Sequence, residues 1–81
     1  MNIIDIYVNN LKKEDVLNFA LKNNINLSDE ELNFTYNFIK NNYKESIKNK
    51  DTFNLSAYQN HFSKENFEKI EKLLQKYINY L

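Results

Sequence analysis

Few side chains in this chain carry chemistry that acts on a substrate. His61 is the sole histidine, and it stands two residues before Ser63. A histidine beside a hydroxyl is the pairing that a general base and its nucleophile need. These two are too close in sequence to define a triad, and no third group is placed to orient the ring. A histidine at the end of a short helix also interacts with that helix's last carbonyls. Carboxylates group as Glu14-Asp15 and as Asp29-Glu30-Glu31. Such groups can hold a metal or move protons. Here each stands at a helix start, where the positive end of the dipole accounts for it. A di-iron bundle sets a Glu three residues before a histidine, and Tyr58 occupies that position. The segment 51–62 has the length of a calcium loop but lacks its glycine and its ligand spacing. The residues therefore point to a non-enzymatic protein with no cofactor and no bound metal.

Two other side-chain groups bear on binding. Lys40, Lys44 and Lys48 recur at a helical spacing of four, with Lys50 beyond, and Tyr43 and Tyr58 are available to stack on bases. This is a candidate nucleic-acid face. The helices around Asn23-Asn24-Ile25-Asn26-Leu27-Ser28 also suggest a helix-turn-helix. Against that, the connection exceeds the usual 3–4 residues. The second helix opens on Asp29-Glu30-Glu31, which repels phosphate, and the chain has no Arg for bidentate base contacts. The second group is aromatic: six Phe and six Tyr. Phe19, Phe34, Phe38, Leu73 and Tyr80 fall beside or off the main apolar stripes. Either they widen the core or they form an exposed patch that marks a partner surface. Phe19, Phe34, Phe38 and Tyr80 are the candidate residues of that surface.

The elements that position these groups follow from a restricted alphabet. The 81 residues include no Gly, Pro or Cys, and eleven Lys balance eleven acids. Disulfides and thiolate chemistry are excluded, as are zinc sites built on Cys and His. Glycine-rich phosphate loops and tight primed hairpins have no residues to make them. Sixteen Asn, with Ile, Lys, Phe, Tyr and one Met, make up more than half of the chain. These residues share AT-rich codons, so mutation bias explains the composition better than a prion-like tract. The zero net charge hides an asymmetry. Residues 1–39 hold three Lys and six acids, net −3, and residues 40–81 hold eight Lys and five acids, net +3.

An apolar residue followed five positions later by another marks a hydrophobic staple at a helix start. The spacing occurs at Leu11/Val16, Leu27/Leu32, Phe53/Tyr58 and Phe62/Phe67. Ser28 with Glu31 makes a full capping box, Ser63 has Asn66 at N3 and so an incomplete one, and Lys12 is a poor cap. These starts predict a short N-terminal helical segment with Ile3 and Tyr7 at helical spacing, then four helices. A helix near 12–23 sets Val16, Leu17, Ala20 and Leu21 on one side. A helix from about 29 to the mid-forties carries Leu32, Tyr36, Ile39, Tyr43 and Ile47. A short helix spans about 55–61, after a turn near Asn49-Lys50-Asp51. A last helix, about 64–80, carries Phe67, Ile70, Leu74, Tyr77, Ile78 and Leu81, with Glu65–Lys69 and Glu68–Lys72 as i,i+4 pairs. Without Gly, helix ends fall to Asn, with Asn23 or Asn24 and Asn49 as candidates. The expectation is an all-α, compact bundle of four to five helices with short connections, forming one domain over 1–81. No apolar run reaches the ~20 residues of a membrane span. The N-terminus lacks a basic, apolar leader. Both point to a cytoplasmic protein.

Several stretches together resemble a known family. They are Glu14-Asp15-Val16-Leu17, the run from Ala20 to Glu31, Phe38-Ile39-Lys40-Asn41-Asn42, and the close from Ser63 to Tyr77. That order is similar to a family of small uncharacterised helical proteins of low-GC Gram-positive bacteria, a domain of unknown function. The family commonly has Ser or Thr where Lys12 stands. The resemblance implies an all-α bacterial cytoplasmic protein and brings no activity or catalytic residues. The functional expectation is a small interaction module that binds a protein partner or itself. The alternative is a weak nucleic-acid binder using Lys40, Lys44, Lys48 and Lys50.

Overall fold

The computed structural model describes residues 3–48 and 54–78, with the side chains of Ile47, Tyr77 and Ile78 left aside. The protein is all-α. In chain order the helices are α1 (Ile3–Asn9), α2 (Lys13–Lys22), α3 (Asp29–Lys48), a 3₁₀ helix (Leu55–His61) and α4 (Lys64–Ile78). The expected turn at 49–51, the Asn49 stop and the Phe53 staple lie outside the described residues, as do Lys50, Tyr80 and Leu81.

The starts of α2, α3 and the 3₁₀ helix obey local chemistry. Lys12 offers no side-chain acceptor, and α2 begins with only the reciprocal half of a box: the Asp15 carboxylate accepts the Lys12 N–H at 2.9 Å. At α3 both halves form. The Ser28 hydroxyl accepts the Glu31 N–H at 3.2 Å, and the Glu31 carboxylate accepts the Ser28 N–H at 2.8 Å. Asn54 caps the 3₁₀ helix by accepting from the Ser56 N–H. The staple residues Leu11, Val16 and Leu27 are buried, and Leu32, Phe62 and Phe67 are half-buried.

The end of α2 shows how the chain manages without glycine. Asn24 takes the left-handed conformation, φ 63°. The Ile25 N–H then bonds the Ala20 carbonyl at 2.8 Å, and the Asn24 N–H bonds the Leu21 carbonyl at 3.0 Å. This pair of bonds is a Schellman motif with Asn at the usual glycine position. It turns Ile25 into the core, where it is 2% exposed. Burying such a side chain contributes about 1.5–3 kcal/mol relative to leaving it in water.

The core is Leu11, Val16, Ala20, Ile25 and Leu27, with Leu32, Tyr36, Ile39, Phe62, Ile70 and Leu73 packed around it. Leu21 departs from expectation. Its spacing sets it on the inner side of α2, yet it is exposed. The buried stripe of α2 is narrow, centred on Val16 and Ala20, and Leu21 lies one step (about 100°) beyond Ala20. Of the two expected i,i+4 pairs on α4, Glu65–Lys69 forms at 3.5 Å and Glu68–Lys72 does not.

Candidate interaction surface

α1 is turned so that Asp5 and Val8 face α3 and its isoleucines face out. Tyr43 of α3 donates to the Asp5 carboxylate. That bond pushes the Tyr43 hydroxyl above its ordinary pKa. Lys40 of α3 donates to the carbonyls of Val8 and Asn9, at 2.9 and 3.2 Å, and so caps the C-terminus of α1. Val8 alone of α1 is buried. Ile3 is 83% exposed and Tyr7 65%, with Ile4 and Ile6 also exposed. On α2, Phe19 is 46% exposed. Ile3, Ile6 and Tyr7 of α1 and Asp15, Phe19 and Lys22 of α2 border one open concavity of about 740 Å³.

A second, apolar cleft of about 500 Å³ runs beside the core. Phe19, Phe34 and Phe38 all border it, with Leu11, Ile70 and Leu73. The structure thus brings three of the four predicted surface aromatics to one cleft, and Tyr80 lies outside the described residues. The three do not serve alike. Phe34 and Phe38 are half-buried in an aromatic cluster between α3 and the 3₁₀ helix. Phe34 stacks on His61 at 3.9 Å and meets Phe62 edge-on at 5.6 Å. Phe38 meets Tyr58 edge-on at 4.9 Å. Phe19 stands on the rim shared by the cleft and the concavity.

The lysine row separates in the same way. Lys40 is half-buried, committed to the two α1 carbonyls, and its Nζ lies 5.8 Å from the Tyr36 ring centroid. Lys44 and Lys48 are exposed, and Lys50 lies outside the described residues. His61 presents its ring to Phe34 in a near-parallel stack, 9° between planes. Among the described residues, no group of three or more His, Asp or Glu side chains converges on a point that holds a metal. No described helix is long and apolar enough to cross a membrane.

A polar network joins the starts of α3 and α4, and sequence spacing revealed only its Ser28–Glu31 half. Glu31 is 5% exposed. Besides Ser28, its carboxylate accepts the Ser63 N–H at 2.8 Å and the Asn66 side-chain amide at 2.8 Å. The Asn66 side-chain amide also donates to the Asn26 carbonyl at 2.9 Å, and the Asn66 backbone N–H donates to the Ser63 hydroxyl at 3.1 Å. Glu31 thereby completes the box that Ser63 lacks locally. Burial alone raises its pKa. The Ser28 and Ser63 backbone donors, with the Asn66 and Ser28 side chains, outweigh that and hold it below its ordinary 4.5. The signals that could have found this were the half-box at Ser63 and a polar Asn66 between the apolar Phe62, Phe67 and Ile70.

No family model, curated protein or solved structure matches this chain.

Proposed function

We propose that this protein is a non-enzymatic helical interaction module that binds another protein or itself. The observation that carries the reading is the orientation of α1. Its inner side is tied down by Tyr43 and Lys40, while Ile3, Ile6 and Tyr7 face water beside Phe19. A single exposed leucine needs no explanation, but several large apolar side chains around one concavity mark a surface that is covered in use. A cytoplasmic setting is part of the same proposal. The nucleic-acid alternative loses Lys40, whose ammonium is spent on α1 carbonyls, so the row offers phosphate a shorter face.

Photo-crosslinking from position 7 tests the reading. A photoreactive residue in place of Tyr7, irradiated in extracts of cells producing the protein, is expected to give a discrete adduct. The adduct is expected to vanish when Ile6→Glu and Phe19→Glu are added. No adduct from position 7, or one equally abundant from Glu68 on α4, would sink the interaction-module reading.

A further inference from the structure

The outer face of α2 carries a charge pattern that bears on what covers this surface. Asp15, Asn18, Phe19 and Lys22 are spaced i, i+3, i+4, i+7, and all four border the α1–α2 concavity. The carboxylate is at one end of that row and the ammonium at the other, about 10.5 Å apart along the helix axis. The midpoint falls between Asn18 and Phe19. A two-fold axis through that midpoint, perpendicular to α2, lays a second α2 antiparallel on the first. It sets Asp15 of each copy against Lys22 of the other. A two-fold interface uses one patch twice, so the patch must complement itself, and a face with opposite charges at equal distances from the Asn18–Phe19 centre does. The central Phe19 is then positioned to enter the other copy's concavity, flanked by Ile3, Ile6 and Tyr7. An aromatic anchor at the centre of a charged rim is the usual layout of a stable interface. The chain's formal net charge of zero leaves no long-range repulsion between copies.

We propose that the α1–α2 face is a self-association surface whose occupant is a second copy of this chain, docked antiparallel across α2 with reciprocal Asp15–Lys22 pairs. This rests on the interaction-module reading and names its partner. Sedimentation of the full chain over a concentration series tests it, together with K22E, D15K, the D15K/K22E double variant and an equal mixture of the two single variants. The chain is expected to dimerise. Each single variant sets like charges opposite one another twice per dimer and is expected to weaken association about tenfold or more. The double variant is expected to return to within about threefold of the parent. The mixture is expected to form mixed dimers more tightly than either variant alone, because both reciprocal pairs are then of opposite sign. D15K also removes the acceptor of the Lys12 N–H, so circular dichroism confirms helix content for each variant. Independently, Asn18→Cys, the sole thiol in a chain with no native cysteine, is expected to oxidise to a disulfide-linked dimer, whereas Glu68→Cys stays monomeric. A parent chain that is monomeric throughout overturns the proposal, and so does a mixture no tighter than its components. Position-7 crosslinking to a different protein would then leave the broader interaction reading standing.

Discussion

Glu31 shows how one buried carboxylate can organise two helix starts. Its oxygens take the Ser28 N–H, the Ser63 N–H and the Asn66 amide, joining the N-termini of α3 and α4 through a single side chain. Glu31→Gln keeps the size but offers the amide's N–H₂ to a donor that expects an acceptor. It is expected to destabilise the fold by about 1–3 kcal/mol at neutral pH, the cost of leaving a buried donor unpaired. Urea unfolding measures this, and an unchanged midpoint would remove the network from the account. The pH dependence has a defined sign. The folded-state pKa of Glu31 is lowered, so its stabilisation is fully present above the ordinary value of 4.5 and is lost as pH falls through the folded value. The parent is therefore expected to lose stability more steeply than Glu31→Gln below pH 4.5. Half of this site was legible in the sequence. The Ser28–Glu31 box lies within four residues and could be read from spacing. The Ser63 and Asn66 partners are 32 and 35 residues from Glu31, and the half-box at Ser63 signals a missing acceptor without saying which distant carboxylate supplies it.

At the scale of the helix, position along the chain is easier to read than orientation. Apolar spacing located each helix because the period of 3.6 is intrinsic to the backbone. It did not say which way a short helix faces. Ile3 and Tyr7 were legible as one face of α1, but that this face points outward depends on Tyr43 and Lys40, side chains more than 30 residues away. Removing the Tyr43 hydroxyl in Tyr43→Phe is expected to loosen α1 selectively. Amide exchange should quicken in Ile6–Asn9 and stay unchanged in Lys69–Leu73 of α4, and uniform exchange would show that this tether has no local role. The α2 terminus makes a sharper test. Asn24 holds a left-handed φ, which costs a residue with a Cβ about 1–2 kcal/mol unless its side chain is adapted to it. Asn24→Val is expected to lower stability by about that amount, and Asn24→Gly to leave it unchanged or raise it by less than about 1 kcal/mol, by thermal unfolding. If Asn24→Val unfolds at the parent temperature, the Schellman geometry is not what orders Ile25.

Across the whole molecule, the acidic first half and basic second half meet at the ends of helices. Lys40 closes the C-terminus of α1, and Lys69 donates to the Asn24 carbonyl at 2.9 Å, just past the C-terminus of α2. Both ammonium groups sit where the helix dipole is negative, and both come from a helix later in the chain. In return Glu31, from the first half, receives the start of α4. A chain without glycine or proline thus terminates its helices partly by exchanging caps between them, and each exchange is also a tertiary contact. The charge asymmetry is visible in the sequence as a net −3 and a net +3, and the Lys40 row reads most simply as a solvated face, with a nucleic-acid surface as the alternative. Its first member instead finds carbonyls of its own chain, because a half-buried ammonium beside an unfinished helix end gains hydrogen bonds there. Lys40→Met and Lys69→Met each keep the aliphatic stem and remove the donor. Each is expected to cost about 0.5–1.5 kcal/mol, measured by urea unfolding in low salt, with a smaller loss in 1 M NaCl. The two serve different helix ends and share no partner, so the double variant is expected to match the sum of the singles within about 0.5 kcal/mol. A larger coupling would mean that α1 and the α2 terminus are linked through a path other than these caps, and a cost near zero for both would return the lysines to the solvent face.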